Sequence, residues 1–221
     1  MCAVIGVHNN DKVDIDSFRK LLDQSMIRGK HATGLAYIDY KDANKIKHFI
    51  LPKSADAFDI PDNIYTKMLI AHCRYSTSDI EWNQPIVSQD IAVVHNGVIT
   101  QSDPSTWEAT YNYKFETKCD SEIILRAWEN QSHALWLEGS MSAVVIDARG
   151  TNSMHFFRNE QRPLYYAQAN KDTFIASTKD ILERAGISGF GIEKTEPCVD
   201  YVIQKNALRK VRIRDVIEDL Q

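Results

Sequence analysis

Cysteine stands at position 2, behind the initiator methionine and ahead of the apolar run Ala3-Val4-Ile5-Gly6-Val7. Removing a methionine in front of a small residue would leave that cysteine with a free α-amino group. Such an amine ordinarily titrates near about 7.7–8.0, so part of it is unprotonated close to neutrality. It can take the thiol proton directly or through a water, which puts base and nucleophile on one residue. By itself, a cysteine at position 2 is most often only the start of a strand. Other residues able to do chemistry fall in short clusters: Arg28 to Ala36, Ala71-His72-Cys73-Arg74-Tyr75-Ser76-Thr77, Asn83-Gln84-Pro85, Val94-His95-Asn96-Gly97-Val98-Ile99 and Glu116-Thr117-Lys118-Cys119-Asp120-Ser121-Glu122.

In this order and at these spacings the clusters resemble the glutaminase domain of class II glutamine amidotransferases, which belong to the N-terminal nucleophile hydrolases. Within that family the likeness is greatest to the glutaminase half of glucosamine-6-phosphate synthases, with amidophosphoribosyltransferases next. It runs from Cys2 to about Ile203 and takes in Gly139 to Ala143, Arg158 to Leu164 and Phe174 to Ser177. No cluster is specific alone, since His-Asn-Gly is most often a hairpin turn. The resemblance implies an α+β fold, a four-layer αββα sandwich of N-terminal nucleophile hydrolase type. It also implies that residues 1–221 form a single glutaminase domain, with Met1 removed in the mature form and no acceptor or synthase domain.

The chemistry asks for the same residue types. Attack of a thiolate on a carboxamide makes a tetrahedral oxyanion, which needs donors fixed in advance. An Asn-Gly pair offers two, the Asn96 side-chain amide and the Gly97 backbone N–H, and glycine lets the main chain approach the substrate. The matching family positions form the oxyanion hole. Free glutamine carries an α-carboxylate, which suits a planar bidentate donor, and Arg74 matches the family arginine that supplies it. Its α-ammonium suits a carboxylate, and Asp120 matches the family aspartate. Without the resemblance, Arg74 and Asp120 read as an ion-pair member and a helix N-cap. Thr77 matches a hydroxyl-bearing site position, Tyr75 replaces a common tryptophan as an aromatic wall, and Arg28 matches a supporting arginine beside the nucleophile.

Several positions depart from the family pattern. Ala3 stands in place of a usual glycine, Cys73 in place of threonine and Ser78 in place of histidine. Gln84 before Pro85 fits the amidophosphoribosyltransferase version better. Arg74 to Trp82 is similar to the loop that closes over glutamine, somewhat shortened. These changes bear on affinity and closure; none removes a group the reaction requires.

Around these groups, Ala3 to Val7 reads as a buried strand. Asp16 to Met26 reads as a helix, with Phe18, Leu21, Leu22 and Met26 on one face. Leu35 to Tyr40, Met68 to Tyr75 and Ile91 to Val94 are candidate strands. Asp120 to Trp128 predicts a second helix with an acidic N-cap. Met141 to Ile146, Met154 to Arg158, Leu164 to Ala167 and Thr173 to Ser177 read as successive strands. Thr178 to Arg184 predicts a short helix stopped by Gly186. Lys205 to Arg214 reads as a solvated strand face.

A net charge of −4 argues against a general nucleic-acid binder. No window approaches the ~18 uninterrupted apolar residues of a membrane span, and the apolar run from Ala3 to Val7 ends at Asn9, too early for a secretory signal. Four scattered cysteines without a C-x-x-C pair fit free thiols in a cytoplasmic protein. No metal-ligand spacing appears, and the reaction calls for no cofactor. The expected partners are L-glutamine and a separate synthase chain that accepts the ammonia. Two other readings are an amidase acting on γ-glutamyl or other small amides, and a catalytically idle regulatory or binding subunit.

Overall fold

A computed structural model describes residues 1–42, 44–61, 63–76, 81–131, 139–169, 171–187 and 191–212. Thirteen described strands form two antiparallel sheets. The first sheet holds β1 (Ala3–Asn9), β2 (Ala32–Asp39), β3 (Lys45–Leu51), β4 (Met68–Arg74), β9 (Tyr165–Ala169), β10 (Asp172–Ala176) and β11 (Glu193–Lys194). Its spatial order is β11-β9-β10-β1-β4-β2-β3, so the strand following Cys2 is central. The second sheet runs β13-β12-β8-β7-β6-β5. Its strands are β5 (Ile86–Val87), β6 (Ile91–Val98), β7 (Ser140–Asp147), β8 (Ser153–Arg158), β12 (Val199–Gln204) and β13 (Ala207–Arg212).

Strand alternation sorts the apolar residues into three layers of core. Ala3, Ile5 and Val7 of β1 and Leu69, Ala71 and Cys73 of β4 face outward, onto α1 (Ile15–Ser25) and α4 (Lys179–Leu182). Val4, Met68 and Ile70 face the second sheet, where Ala92, Val94, Val144 and Ile146 meet them. On the far side, Ile91, Val93, Ala143 and Val145 carry α2 (Trp107–Tyr111) and α3 (Ser121–Glu129) through Trp107, Ile124 and Trp128. Both faces of the central strands are covered, which is why they read as unbroken apolar runs. Each fully buried Leu, Ile or Phe contributes about 1.5–3 kcal/mol. The layers are therefore α, β, β, α, the architecture expected from the sequence.

Local chemistry explains the helix boundaries. Asp14 caps α1 by accepting the Asp16 N–H at 3.2 Å, and Phe18, Leu21 and Leu22 bury its inner face. Beyond α1 the chain turns through Met26 to Gly29. A Cβ on Gly29 would lie 2.4 Å from the Arg74 carbonyl carbon, so only glycine lets this turn pack on the end of β4. Gly186 takes φ 84° just past α4, the left-handed conformation that ends the helical turns there. No described helix is long and apolar enough to cross a membrane.

Candidate active site

The parity that builds the core also assembles the site. Cys2 precedes Ala3 and continues the face of Val4. His72 and Arg74 continue the face of Met68 and Ile70 on β4, and Asn96 that of Ala92 and Val94 on β6. Because β1 and β4 are antiparallel, with Ala3 opposite Cys73, the start of one strand lies beside the end of the other. The space between the sheets thus ends in a cleft of about 450 Å³ lined by Cys2, His72, Arg74, Gly97, Cys119 and Asp120, among others.

Two donors meet the requirements of an oxyanion site. Asn96 is buried, and its Nδ2 has no hydrogen-bond partner. A buried amide without an acceptor is uncommon and costs about 1–3 kcal/mol, so the fold holds this donor at the expense of stability. Gly97 follows at φ 155°, and a Cβ there would come 1.7 Å from the Ser140 carbonyl oxygen and 2.8 Å from His95 Nε2. Any side chain would force β6 and β7 apart.

Around Cys2, Arg28 Nε donates to the Cys2 carbonyl at 2.8 Å. The Met1 thioether lies 3.6 Å from Arg28 Nη2 and 3.8 Å from Arg162 Nη1. Cys2 Sγ is 3.8 Å from the Tyr75 carbonyl oxygen. Tyr75 itself is half exposed, with its ring 5.1 Å from that of His31. Arg74 lines the cleft and donates to the Trp82 carbonyl and, at 3.0 Å, to Asn83 Oδ1. Thr77 lies outside the described residues.

Asp120 departs from one sequence expectation. It stands directly before α3, yet its side chain makes no cap bond; Oδ2 instead accepts the Ile99 N–H at 2.6 Å. The carboxylate is thereby tied to the segment just past Gly97 while still lining the cleft. A second carboxylate, Glu122, is almost fully buried and was assigned no role from sequence. It accepts from the backbone of Glu116 and Thr117 and from Arg126, and so holds the strand of chain leading to Lys118 and Cys119.

Electrostatics separates the candidate nucleophiles and bases. Burial pushes the Cys73 thiol up to about 12 and the Cys119 thiol up to about 11, so neither ionises near neutrality. Burial, with help from His95 and Arg74, drives His72 down to about 3. Burial also lowers His95, against the pull of Asp120. Both imidazoles are therefore neutral and poor proton acceptors.

Comparison with known proteins decides the family. A glutamine amidotransferase domain model matches residues 72–184, just over half of the chain. The chain is a class II glutamine amidotransferase domain. This amidotransferase domain is 28% identical over 199 residues to a glutamine–fructose-6-phosphate aminotransferase (isomerizing) of Buchnera aphidicola, covering 80% of this chain and 32% of that protein. An enzyme of the same name from Yersinia pseudotuberculosis is 29% identical over 198 residues, with the same coverage of each. An amidophosphoribosyltransferase of Methanocaldococcus jannaschii is 27% identical over 135 residues, 56% of this chain and 28% of that one. The domain thus spans about a third of the length of the curated relatives it matches. Among solved structures, the glutamine phosphoribosylpyrophosphate amidotransferase of B. subtilis superposes with a TM-score of 0.77 at 19% identity, over 96% of this chain and 49% of that one. The shared fold is the N-terminal nucleophile hydrolase sandwich.

Sequence reading of this amidotransferase domain missed Gln84 and Trp82 as parts of the cleft. Trp82 and Gln84 line the cleft, and the Trp82 Nε1 is buried without a partner. A glutamine between Asn83 and Pro85 carries no local signal of the strand it will meet. Its family likeness was legible; its partner was not.

Proposed function

We propose that the mature chain begins at Cys2 and hydrolyses the side-chain amide of glutamine to glutamate and ammonia. Cys2 Sγ attacks the carboxamide carbon, and its proton passes to the Cys2 α-amine. The carbonyl oxygen becomes an oxyanion held by Asn96 Nδ2 and the Gly97 N–H. Collapse breaks the C–N bond as the α-ammonium returns its proton to the leaving nitrogen, which departs as ammonia. Water, deprotonated by the same amine, then attacks the thioester, releasing glutamate and restoring the thiol. Arg74 takes the α-carboxylate and Asp120 the α-ammonium of the substrate, with Tyr75 and Thr77 beside them. Arg28 holds the Cys2 carbonyl in place.

The observation that carries this reading is the unpartnered Asn96 Nδ2, buried next to Gly97 at the cleft that Cys2 lines. The depressed His72 and His95 support it further, because they leave the α-amine as the base near neutrality. Curated relatives carry aminotransferase and phosphoribosyltransferase names, so the ammonia is proposed to pass to an acceptor enzyme. Ammonia freed into water would be protonated and lost as a nucleophile.

The test is glutamate release from L-glutamine after intact mass has established loss of Met1. Wild type is expected to release glutamate and Cys2→Ala to release none. Equal release by both would overturn the role of Cys2. Faster turnover of γ-glutamyl conjugates than of glutamine would move the assignment to another amide.

A further inference from the structure

The pairing of β5 with β6 stops short of the cleft, and a side chain continues it. Ile86 lies opposite Val93 and Val87 opposite Ala92. Carried to the next pleat, that register sets residue 84 opposite His95. There the Gln84 carboxamide takes the place of a strand: Oε1 accepts the His95 N–H at 2.5 Å, and Nε2 donates to the His95 carbonyl at 3.0 Å. A primary amide offers one donor and one acceptor side by side, as a strand residue does to its antiparallel partner.

The main chain of Gln84 is engaged elsewhere. Its carbonyl oxygen packs against Gly34 of β2, where a Cβ would approach to 2.1 Å. One residue therefore rests its backbone on the first sheet and clamps its side chain to the second. The clamp closes on the peptide immediately before Asn96. On the other side, Trp82 and Asn83 are bonded by Arg74. A continuous path of hydrogen bonds and chain thus runs from Arg74 through residues 82–84 to His95 and Asn96.

We propose that Gln84 is a positioning residue for the oxyanion donors, setting Asn96 and Gly97 at a fixed distance from the arginine that holds the substrate carboxylate. This rests on the amide-hydrolysis reading above. Gln84 supplies no group to the reacting atoms; it acts through the His95 peptide. Its loss displaces donors that matter in the transition state and leaves the ground-state grip of Arg74 in place, so the effect falls on kcat.

Two variants test this. Gln84→Met keeps the length and loses both bonds; Gln84→Asn keeps the amide and falls one methylene short. In each, kcat for glutamate release is expected to drop about 10- to 100-fold with KM within about twofold. The Gly97 amide resonance of 15N-labelled protein is expected to shift, while amides of β1 and β10 hold their positions. Unchanged kcat in both variants, or a rise in KM alone, would overturn the proposal. So would an unmoved Gly97 amide, whatever the rates. If the Gly97 amide moves in both variants while correctly processed wild type releases no glutamate, the positioning stands and the hydrolysis reading fails.

Discussion

The Asp120 carboxylate accepts the Ile99 N–H at 2.6 Å, two residues past Gly97. This bond anchors the start of α3 to the segment that leaves Gly97. It uses one carboxylate oxygen, and with the substrate ammonium proposed for the other, substitutions here have two separable effects.

Asp120→Asn keeps an acceptor for Ile99 and loses the negative charge. Its KM for glutamine is expected to rise about 10- to 100-fold, the loss of one charge-assisted bond, with kcat changed less than about threefold. Asp120→Ala loses both bonds and is expected to lower the melting temperature as well. Steady-state kinetics and thermal unfolding of the pair separate recognition from anchoring. Unchanged KM in Asp120→Asn would remove Asp120 from substrate binding.

Asn96 is expected to matter for rate far more than for stability. Asn96→Ala removes the proposed oxyanion donor, and kcat should fall about 10²- to 10³-fold. It also removes a buried amide nitrogen that has no partner. Its melting temperature should therefore drop less than that of Val94→Ala, two residues earlier on the same face and fully buried. Equal losses of stability would mean that Nδ2 is satisfied in solution.

Two buried histidines predict acid sensitivity. His8 is pushed down to about 4 by burial and then by Lys67, and His72 down to about 3 by burial. Unfolded histidine takes a proton near about 6.5, well before either folded group does. Below that value the unfolded state binds more protons, so stability that is full above about 6.5 falls as the pH drops. Each histidine contributes about 1.4 kcal/mol per pH unit until its folded pKa is reached. Urea unfolding between pH 7.5 and 4.5 should show the decline, and His8→Gln should flatten it. An unaltered slope in that variant would exclude His8 as a source.

Much of this arrangement is legible in the residues, for a physical reason. Strands β1, β4, β6 and β7 are covered on both faces, and an unbroken apolar run of five to seven residues has few other solutions. The edge strand β3, with the sequence Lys-Ile-Lys-His-Phe-Ile-Leu, buries no face and gives no such signal. The five-residue α2 is held through Trp107, whose anchoring is tertiary. The candidate groups Cys2, Arg74, Gly97 and Asp120 come from separate sequence clusters and line one cleft, with Asn96 buried beside Gly97. What stayed hidden was pairing across distance. The Asp120 carboxylate passes over its own helix for Ile99. His155, with no readable partner in sequence, meets Asp200 at 2.8 Å because β8 and β12 are neighbours.

The lone amide of Asn96 also bears on how such a domain can be improved. Selection for thermal tolerance alone removes buried polar atoms that lack a partner, and this nitrogen is among the first it would discard. Hardened variants from a screen blind to turnover would accumulate losses at this position, and their robustness would come at the expense of the proposed oxyanion donor. Any campaign to toughen the domain has to carry glutamate release as a second filter from its first round.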